Sequence, residues 1–552
     1  MSVLRHEVRP GAYADSIVLM RVQSGLAALD GVEDAGVVMA TTANLEILAE
    51  SGLLPAGLDP AADDLLIVVR AATEAAGDAA LSSIDELFSR RAADGDDEFR
   101  PRSLRSALSL APAAPWVLIS VPGRYAARVA EEAIAADRNV FLYSDNVSLD
   151  DELRLKRLAT EKGLLMMGPD CGTAIVGGAG FGFANRVERG AIGLVGASGT
   201  GLQAITTRLE SLGVGVSQAL GTGGRDLSGE VGGLTASAAL AALSADAETE
   251  VVVLVSKPPA PEVSARMLER AATIGKPVVV YFQGLAAPVT PLGNLHFARS
   301  LDEAASLAVA ALDADTDPAS EGPSWSGTLS GLFAGGTLAM EMAQSLLPWL
   351  APLSTNLGVG DLPESTEAAH SVLDLGADEL TVGRLHPMID QDLRLRYLAR
   401  AGADPAVGAI VLDLVLGDGA HPDPAAELAP LVEELLAARP ELLVVAVVVG
   451  AQDDPQEPEV QRERLAAAGA VVASSVADAT RILWSGRRGV LEGVAPAVRA
   501  ECLAAPVSAI NVGLESFHDS LLEQGAKSTQ VDWRPPAGGD ERLMAILERM
   551  RA

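Results

Sequence analysis

Aromatic side chains are scarce in this chain, at 3% of 552 residues. A core made without them must be filled by Val, Leu, Ile and Ala, and hydrophobic residues do make up 49% of the sequence. Cysteine is rarer still. The two present, Cys171 and Cys502, exclude a disulfide framework and fit a reducing compartment, so a cytoplasmic location is expected. Positive charge is also short: 41 Lys and Arg stand against 74 Asp and Glu, for a formal net charge of -33. Such a balance argues against nucleic acid or an anionic membrane as partner, while leaving room for a small anion held by local N–H groups. Apolar runs such as 442–449 are strand-length, well short of the ~18–20 residues of a membrane span, and residues 1–7 carry no apolar leader pattern. There is no H-E-x-x-H, paired C-x-x-C or EF-hand loop, so no dedicated metal site is expected.

What the chain does have is glycine in significant places. Gly193-Leu-Val-Gly-Ala-Ser-Gly-Thr-Gly201 follows an apolar entry and precedes a helical pattern over 202–212. A strand, a Gly-rich turn and a helix leave backbone N–H groups unpaired at the positive end of the helix dipole, which suits a phosphate. The stretch 330–340 repeats the layout. Ser198, Gly199 and Thr200 in the first turn, and Gly335, Gly336 and Thr337 in the second, are therefore the expected phosphate cradle. Two helix starts aimed at one phosphate would be far more specific than one.

The alternation of apolar runs with helical patterns divides the chain. Residues 1–100 read as a small α/β unit whose order is compatible with a ferredoxin-like fold, with a charged linker over 91–102. Residues 111–190 read as half of a nucleotide-type, Rossmann-like fold. Residues 191–311 and 327–500 read as two similar flavodoxin-like units in tandem, joined by a linker at 312–326. Residues 501–552 form a tail with a strand at 507–512 and the stretch 531–539. The continuous apolar runs 251–255 and 278–281 are typical of parallel strands covered on both faces. The turns after these strands, Gly168-Pro-Asp-Cys-Gly172, Gly221-Thr-Gly-Gly-Arg-Asp226 and Ser256-Lys-Pro-Pro259, lie where open α/β sheets bind ligands.

Several single residues carry competing readings. Lys257, one of five lysines, ends a central strand and serves either a phosphate or carboxylate contact or a salt bridge. Arg384 and His386 sit in a polar turn that is either a substrate site or ordinary surface. Arg225 is a candidate anion contact. His421 lies either in a site-facing loop or at a helix entry capped by Asp423. Cys171 has no histidine pattern to activate it as a nucleophile, and Cys502 reads as packing.

Gly168-Pro-Asp-Cys-Gly172, Gly196-Ala-Ser-Gly-Thr200 and Gly221-Thr-Gly-Gly-Arg-Asp226, in this order, resemble the α subunit of succinyl-CoA synthetase. Asp374-Leu-Gly376 and Val407-Gly-Ala-Ile-Val-Leu-Asp-Leu-Val-Leu-Gly417 resemble the last domain of its β subunit. As a whole, with Ser256-Lys-Pro-Pro259, Gly383-Arg-Leu-His-Pro-Met-Ile-Asp390 and Pro535-Pro-Ala-Gly-Gly539, the chain resembles the FdrA family, which fuses both pieces. The resemblance implies an α/β, succinyl-CoA synthetase-like architecture: a Rossmann-like CoA-binding-type domain, two flavodoxin-like domains and a small N-terminal α/β domain. It implies a subunit of a carbamoyltransferase of the oxamate type, in purine (allantoin) catabolism, that takes carbamoyl phosphate or another acyl phosphate and works with partner subunits. Lys257, Arg384 and His386 would then be the catalytic set. The alternatives are an acyl-CoA synthetase acting with an ATP-grasp partner and a non-catalytic regulatory subunit.

The departures are as informative. The Gly-His-Ala-Gly loop that carries the synthetase phosphohistidine should fall between 284 and 300, where the only histidine, His296, has no glycine beside it. No ATP-grasp part lies between 312 and 330. CoA is the one cofactor in question, and weak or absent binding is expected because the 116–172 unit lacks a Gly-x-Gly-x-x-Gly turn.

Overall fold

The computed structural model describes every residue except 1, 11, 13–15, 56, 59, 62, 63, 90–99, 314–322, 360–368, 488–497 and 536–552. Much of both expected linkers and the end of the 531–539 stretch therefore lie outside the described residues. Contacts divide the chain into two units, residues 1–109 with 530–552, and residues 110–529.

In the first unit, strand Leu65–Ala71 runs between Val3–Arg9 and Val32–Met39, antiparallel to both. Its sequence, LLIVVRA, is apolar almost throughout because both faces are covered. Alternation along the strand sends Leu65, Ile67 and Val69 into a core with Leu19, Val22 and Leu26, and Leu66 and Val68 into a second core with Leu48 and Leu53. The helix Thr42–Glu50, capped by Thr41, supplies that second cover. The ferredoxin-like motif has four strands; three are present among the described residues, and 90–99 lie outside them. Two short helices follow: Ser83 closes Glu74–Ser82 before Ile84–Ser89 begins.

The second unit contains three sheets. In the first, Met166–Met167, Asn139–Leu142, Trp116–Ile119 and Ser508–Val512 lie side by side, all parallel, with Lys527–Val531 at the edge. This is the strand order of half a dinucleotide fold. Its fourth strand comes from the 501–552 segment, so the segment set apart as a tail completes the sheet of the 111–190 domain. Trp116 Nε1 donates to Cys502 O at 2.9 Å and reinforces that return.

The second sheet has Val216–Gly221, Ile192–Gly196, Val251–Ser256, Val278–Phe282 and Leu295–Phe297 in parallel, the flavodoxin-like order. The hairpin Thr173–Val176 and Ala179–Gly182 extends it antiparallel on the Val216–Gly221 side. The first strand of the hairpin thus belongs to this sheet rather than to the 111–190 unit. The third sheet repeats the order with His370–Asp374, Thr328–Phe333, Val407–Val415, Leu443–Val449 and Val471–Ala473, plus Leu353–Thr355 outside His370–Asp374. The tandem flavodoxin-like reading therefore holds. One apolar cluster includes Trp116 and Phe141 from the first sheet, Val195 and Leu254 from the second, and Phe333 and Val411 from the third.

Candidate functional site

Strand Ile192–Gly196 sits at the point where the order of the second sheet reverses, and a cavity of about 260 Å³ opens at the carboxyl ends of this strand and its two neighbours. Its lining includes Gly196, Ser198, Gly199 and Thr200 after the first strand, Gly221, Gly223 and Gly224 after the second, and Lys257 after the third. Parallel strands direct their following loops to one edge, which is why three distant stretches meet there.

The helix Gly199–Ser211 begins at this cavity. Ser198 is its N-cap, in extended conformation, and accepts the Gly201 N–H at 3.2 Å. The N–H groups of Gly199 and Thr200 have no partner among the described residues, and they face the cavity at the positive end of a 13-residue helix. A Cβ on Gly199 would lie 3.4 Å from Thr173 Oγ1, so Thr173 is the neighbour that a side chain at this position would meet. Lys257 is exposed, and among the described residues its ammonium has no ion pair or hydrogen bond. Asp170 lines the cavity too; a Cβ on Gly224 would be 3.2 Å from its Oδ2 and 3.9 Å from Lys257 Nζ. Gly223 holds φ +89°, and a Cβ there would strike Pro169 O, so this turn needs glycine to pass so close.

The Gly221–Asp226 turn is held from beneath by charges that the sequence reading missed. Lys156 Nζ, 1% exposed, donates to Thr222 O at 3.0 Å and Asp226 Oδ1 at 2.6 Å, and lies 3.0 Å from Glu152 Oε1. Asp226 in turn accepts the Thr235 and Ala236 N–H groups at 3.1 and 2.8 Å. The signal was available: the only two lysines before Lys257 lie in 152–162, and Lys156 sits one helical turn from Glu152.

Arg225 is corrected as a phosphate contact. Its half-exposed guanidinium pairs with buried Glu152 Oε2 at 2.8 Å and donates to Val147 O, and it does not line the cavity. Gly335, Gly336 and Thr337 do not line it either. The helix Gly336–Leu346 starts as expected, but carboxylates already occupy its entrance. Asp413 accepts the Ala334 and Gly335 N–H groups at 2.7 and 2.9 Å, and is itself held by Arg394 at 3.0 Å. A Cβ on Gly336 would lie 2.6 Å from Asp374 Oδ2, and burial raises the pKa of Asp374. His386 Nδ1 accepts the Met388 N–H, and its Nε2 lies close against Gly376, beside Asp374. Arg384 is exposed. Lys257 thus joins the first cradle, whereas Arg384 and His386 belong to the surroundings of the second helix.

The remaining candidates follow the bland readings. His296 is half-buried on an edge strand, where desolvation lowers its pKa, and it does not line the cavity. His421 hydrogen-bonds Asp423 N and pairs with Glu427, and Asp423 caps the helix Pro424–Ala438. Cys171 lines the cavity but is buried, and desolvation pushes its thiol up to about 12, which leaves no thiolate to act as nucleophile.

Comparison with known proteins gives three family models along the chain. "AllF, heavy metal-associated domain" matches 1–102, "CoA binding domain" 187–284 and "CoA-ligase" 332–483. The CoA-binding match falls on the second sheet and its cavity, whereas the sequence reading placed the CoA-binding-type domain at 111–190. The name of the first model implies a thiophilic metal. Residues 1–102 contain no cysteine and one histidine, His6, and no group of three His, Cys, Asp or Glu is assembled among the described residues, so the donors present do not fit one. Among the described residues no helix is long and apolar enough to cross a membrane.

Succinate–CoA ligase [ADP-forming] subunit alpha 2 of Archaeoglobus fulgidus is 33% identical over 183 residues, 31% of this chain and 59% of that protein, so the chain spans less than two thirds of that relative's length. Among solved structures, acetyl-coenzyme A synthetase 1 of Ca. Korarchaeum cryptofilum, in complex with phosphate and ADP, aligns at a TM-score of 0.29 and 15% identity over 67% of this chain and 81% of that one. The uncharacterized protein YahF of Escherichia coli (strain K12) is 41% identical over 493 residues, covering 85% of this chain and 95% of that protein. The chain accordingly belongs to the YahF family, with an AllF-type domain, a CoA-binding domain and a CoA-ligase domain in that order.

Proposed function

We propose that this chain is the acyl-phosphate-handling subunit of an acyl-transfer enzyme of the CoA-ligase type. The N–H groups of Gly199 and Thr200 would bind the phosphate of an acyl phosphate, with Ser198 fixing the turn and Lys257 neutralising a second oxygen. In the transfer the carbonyl C–O bond to phosphate breaks and a C–S bond to the thiol of CoA forms. The thiol proton goes to the departing phosphate. The protein's share is positioning and charge stabilisation on the leaving group. An ATP-using partner subunit of the ATP-grasp kind would supply the acyl phosphate, which makes the working enzyme a hetero-oligomer. The observation that carries this reading is the convergence of two unpartnered N–H groups and one unpaired ammonium on a single cavity at a sheet switch point.

The test is thioester formation from acetyl phosphate and CoA by the purified chain. Lys257→Gln is expected to lower the rate by roughly 10²-fold, the scale for losing one donor to a developing anion. If wild-type protein neither binds nor consumes acetyl phosphate, the reading fails.

A second reading, the oxamate-type carbamoyltransferase of the FdrA resemblance, is favoured by one observation: among the described residues no histidine lines the cavity. Carbamoyl phosphate arrives already activated and needs no phosphohistidine. Phosphate release from carbamoyl phosphate that depends on oxamate, with no thioester formed from acetyl phosphate, would select it. Failure of both substrates would leave the regulatory subunit.

A further inference from the structure

Beside the cradle stands an unusual side chain. Phe183 is 58% exposed, and it is the only exposed aromatic residue among the described residues of this aromatic-poor chain. It lines the same cavity as Ser198, Gly199 and Thr200. Its backbone is fixed at both ends: its N–H donates to Gly172 O at 2.8 Å, and Gln203 Nε2, from the first turns of the cradle helix, donates to its carbonyl at 2.6 Å. The ring is fixed as well. Tyr143 and Phe517 meet it edge to face, at centroid distances of 5.3 and 6.4 Å, and pack on each other at 5.0 Å. Two aromatics from two distant stretches are spent on holding one ring open to solvent. Leaving so large an apolar surface wet gains nothing for folding.

We propose that Phe183 is the specificity-determining residue of this cavity, taking the flat carbonyl-bearing group of the acyl phosphate against its ring while the phosphate sits on the helix N-terminus. This inference rests on the acyl-phosphate reading of the cavity and adds the class of acyl group: planar and conjugated, in preference to small and saturated. The cause is contact area plus ring–ring geometry, which a flat group gains and a methyl group does not. Phe183 touches no phosphate donor, so its effect separates from that of the cradle.

The experiment compares affinities of the full chain for inorganic phosphate, acetyl phosphate and benzoyl phosphate. Wild type is expected to bind benzoyl phosphate more tightly than acetyl phosphate. Phe183→Ala should weaken benzoyl phosphate roughly three- to tenfold, the range of one aromatic contact, and leave inorganic phosphate within about twofold. Phe183→Tyr should restore the preference. An unchanged benzoyl-to-acetyl ratio in Phe183→Ala, or an equal loss of inorganic phosphate, overturns the inference while leaving the cradle standing. Failure of wild type to bind any of the three overturns the cradle itself, and this inference with it.

Discussion

His370 sits 6% exposed on an inner strand of the third sheet, and its Nδ1 accepts the Leu329 N–H at 2.9 Å. Burial, with Arg487 nearby, pushes its pKa down to about 3 from 6.5. The folded chain therefore keeps this imidazole neutral, whereas the unfolded chain protonates it below about pH 6.5. Its contribution to stability is full above that pH and is lost as pH falls toward 3, at about 1.4 kcal/mol per pH unit. Between pH 7.5 and 5.0, wild type should lose about 2 kcal/mol more than His370→Asn, whose amide oxygen can accept the same N–H. Denaturant melts at the two pH values measure this; parallel losses would show that the proton is not excluded. At this scale the sequence was least legible. His370 and Arg225 look alike as polar residues near apolar runs, and which of them faces a ligand depends on neighbours such as Glu152, 73 positions away from Arg225.

Among elements, the two Gly-rich turns illustrate what a motif can and cannot say. Both do open helices, at Gly199 and Gly336, as the strand-turn-helix pattern predicts. The first opens on a cavity that Lys257 also lines. At the second, Asp374 and Asp413 come from the two strands flanking Thr328–Phe333 and close over the helix start. Parallel pairing decides this, and a local pattern does not contain it. The helix Leu149–Glu161 makes the same point from the other side. It reads as an ordinary charged helix, yet Lys156 from its buried face supports the Gly221–Asp226 turn. Lys156→Met would remove the central cation and leave Glu152 and Asp226 buried with Arg225 alone. The expected cost is about 3–5 kcal/mol, the scale for breaking a buried ion network by deleting one partner. It should appear as a lowered unfolding midpoint. A midpoint unchanged from wild type would mean that the cluster is not held as a unit.

For the molecule as a whole, the class and the tandem repeat were written in periodicity: runs such as 251–255 and 278–281 are typical of strands covered on both faces, and both are strands. The closure of the first sheet by Ser508–Val512 was not legible, because that strand finds Trp116–Ile119 across almost 400 residues of chain. Nor could the sequence show that Lys257 stands at the first helix start and Asp374 and Asp413 at the second. That asymmetry carries the central claim of the proposed function, which is one phosphate site per chain, at Gly199, and none at Gly336. Calorimetric titration of the full chain with inorganic phosphate tests it most directly, using wild type and Gly199→Val, whose added side chain would fill the space before Thr173. The account predicts one equivalent of phosphate bound by wild type and none by a Gly199→Val protein of unchanged melting temperature. Two equivalents in wild type, or full affinity retained in Gly199→Val, would contradict it.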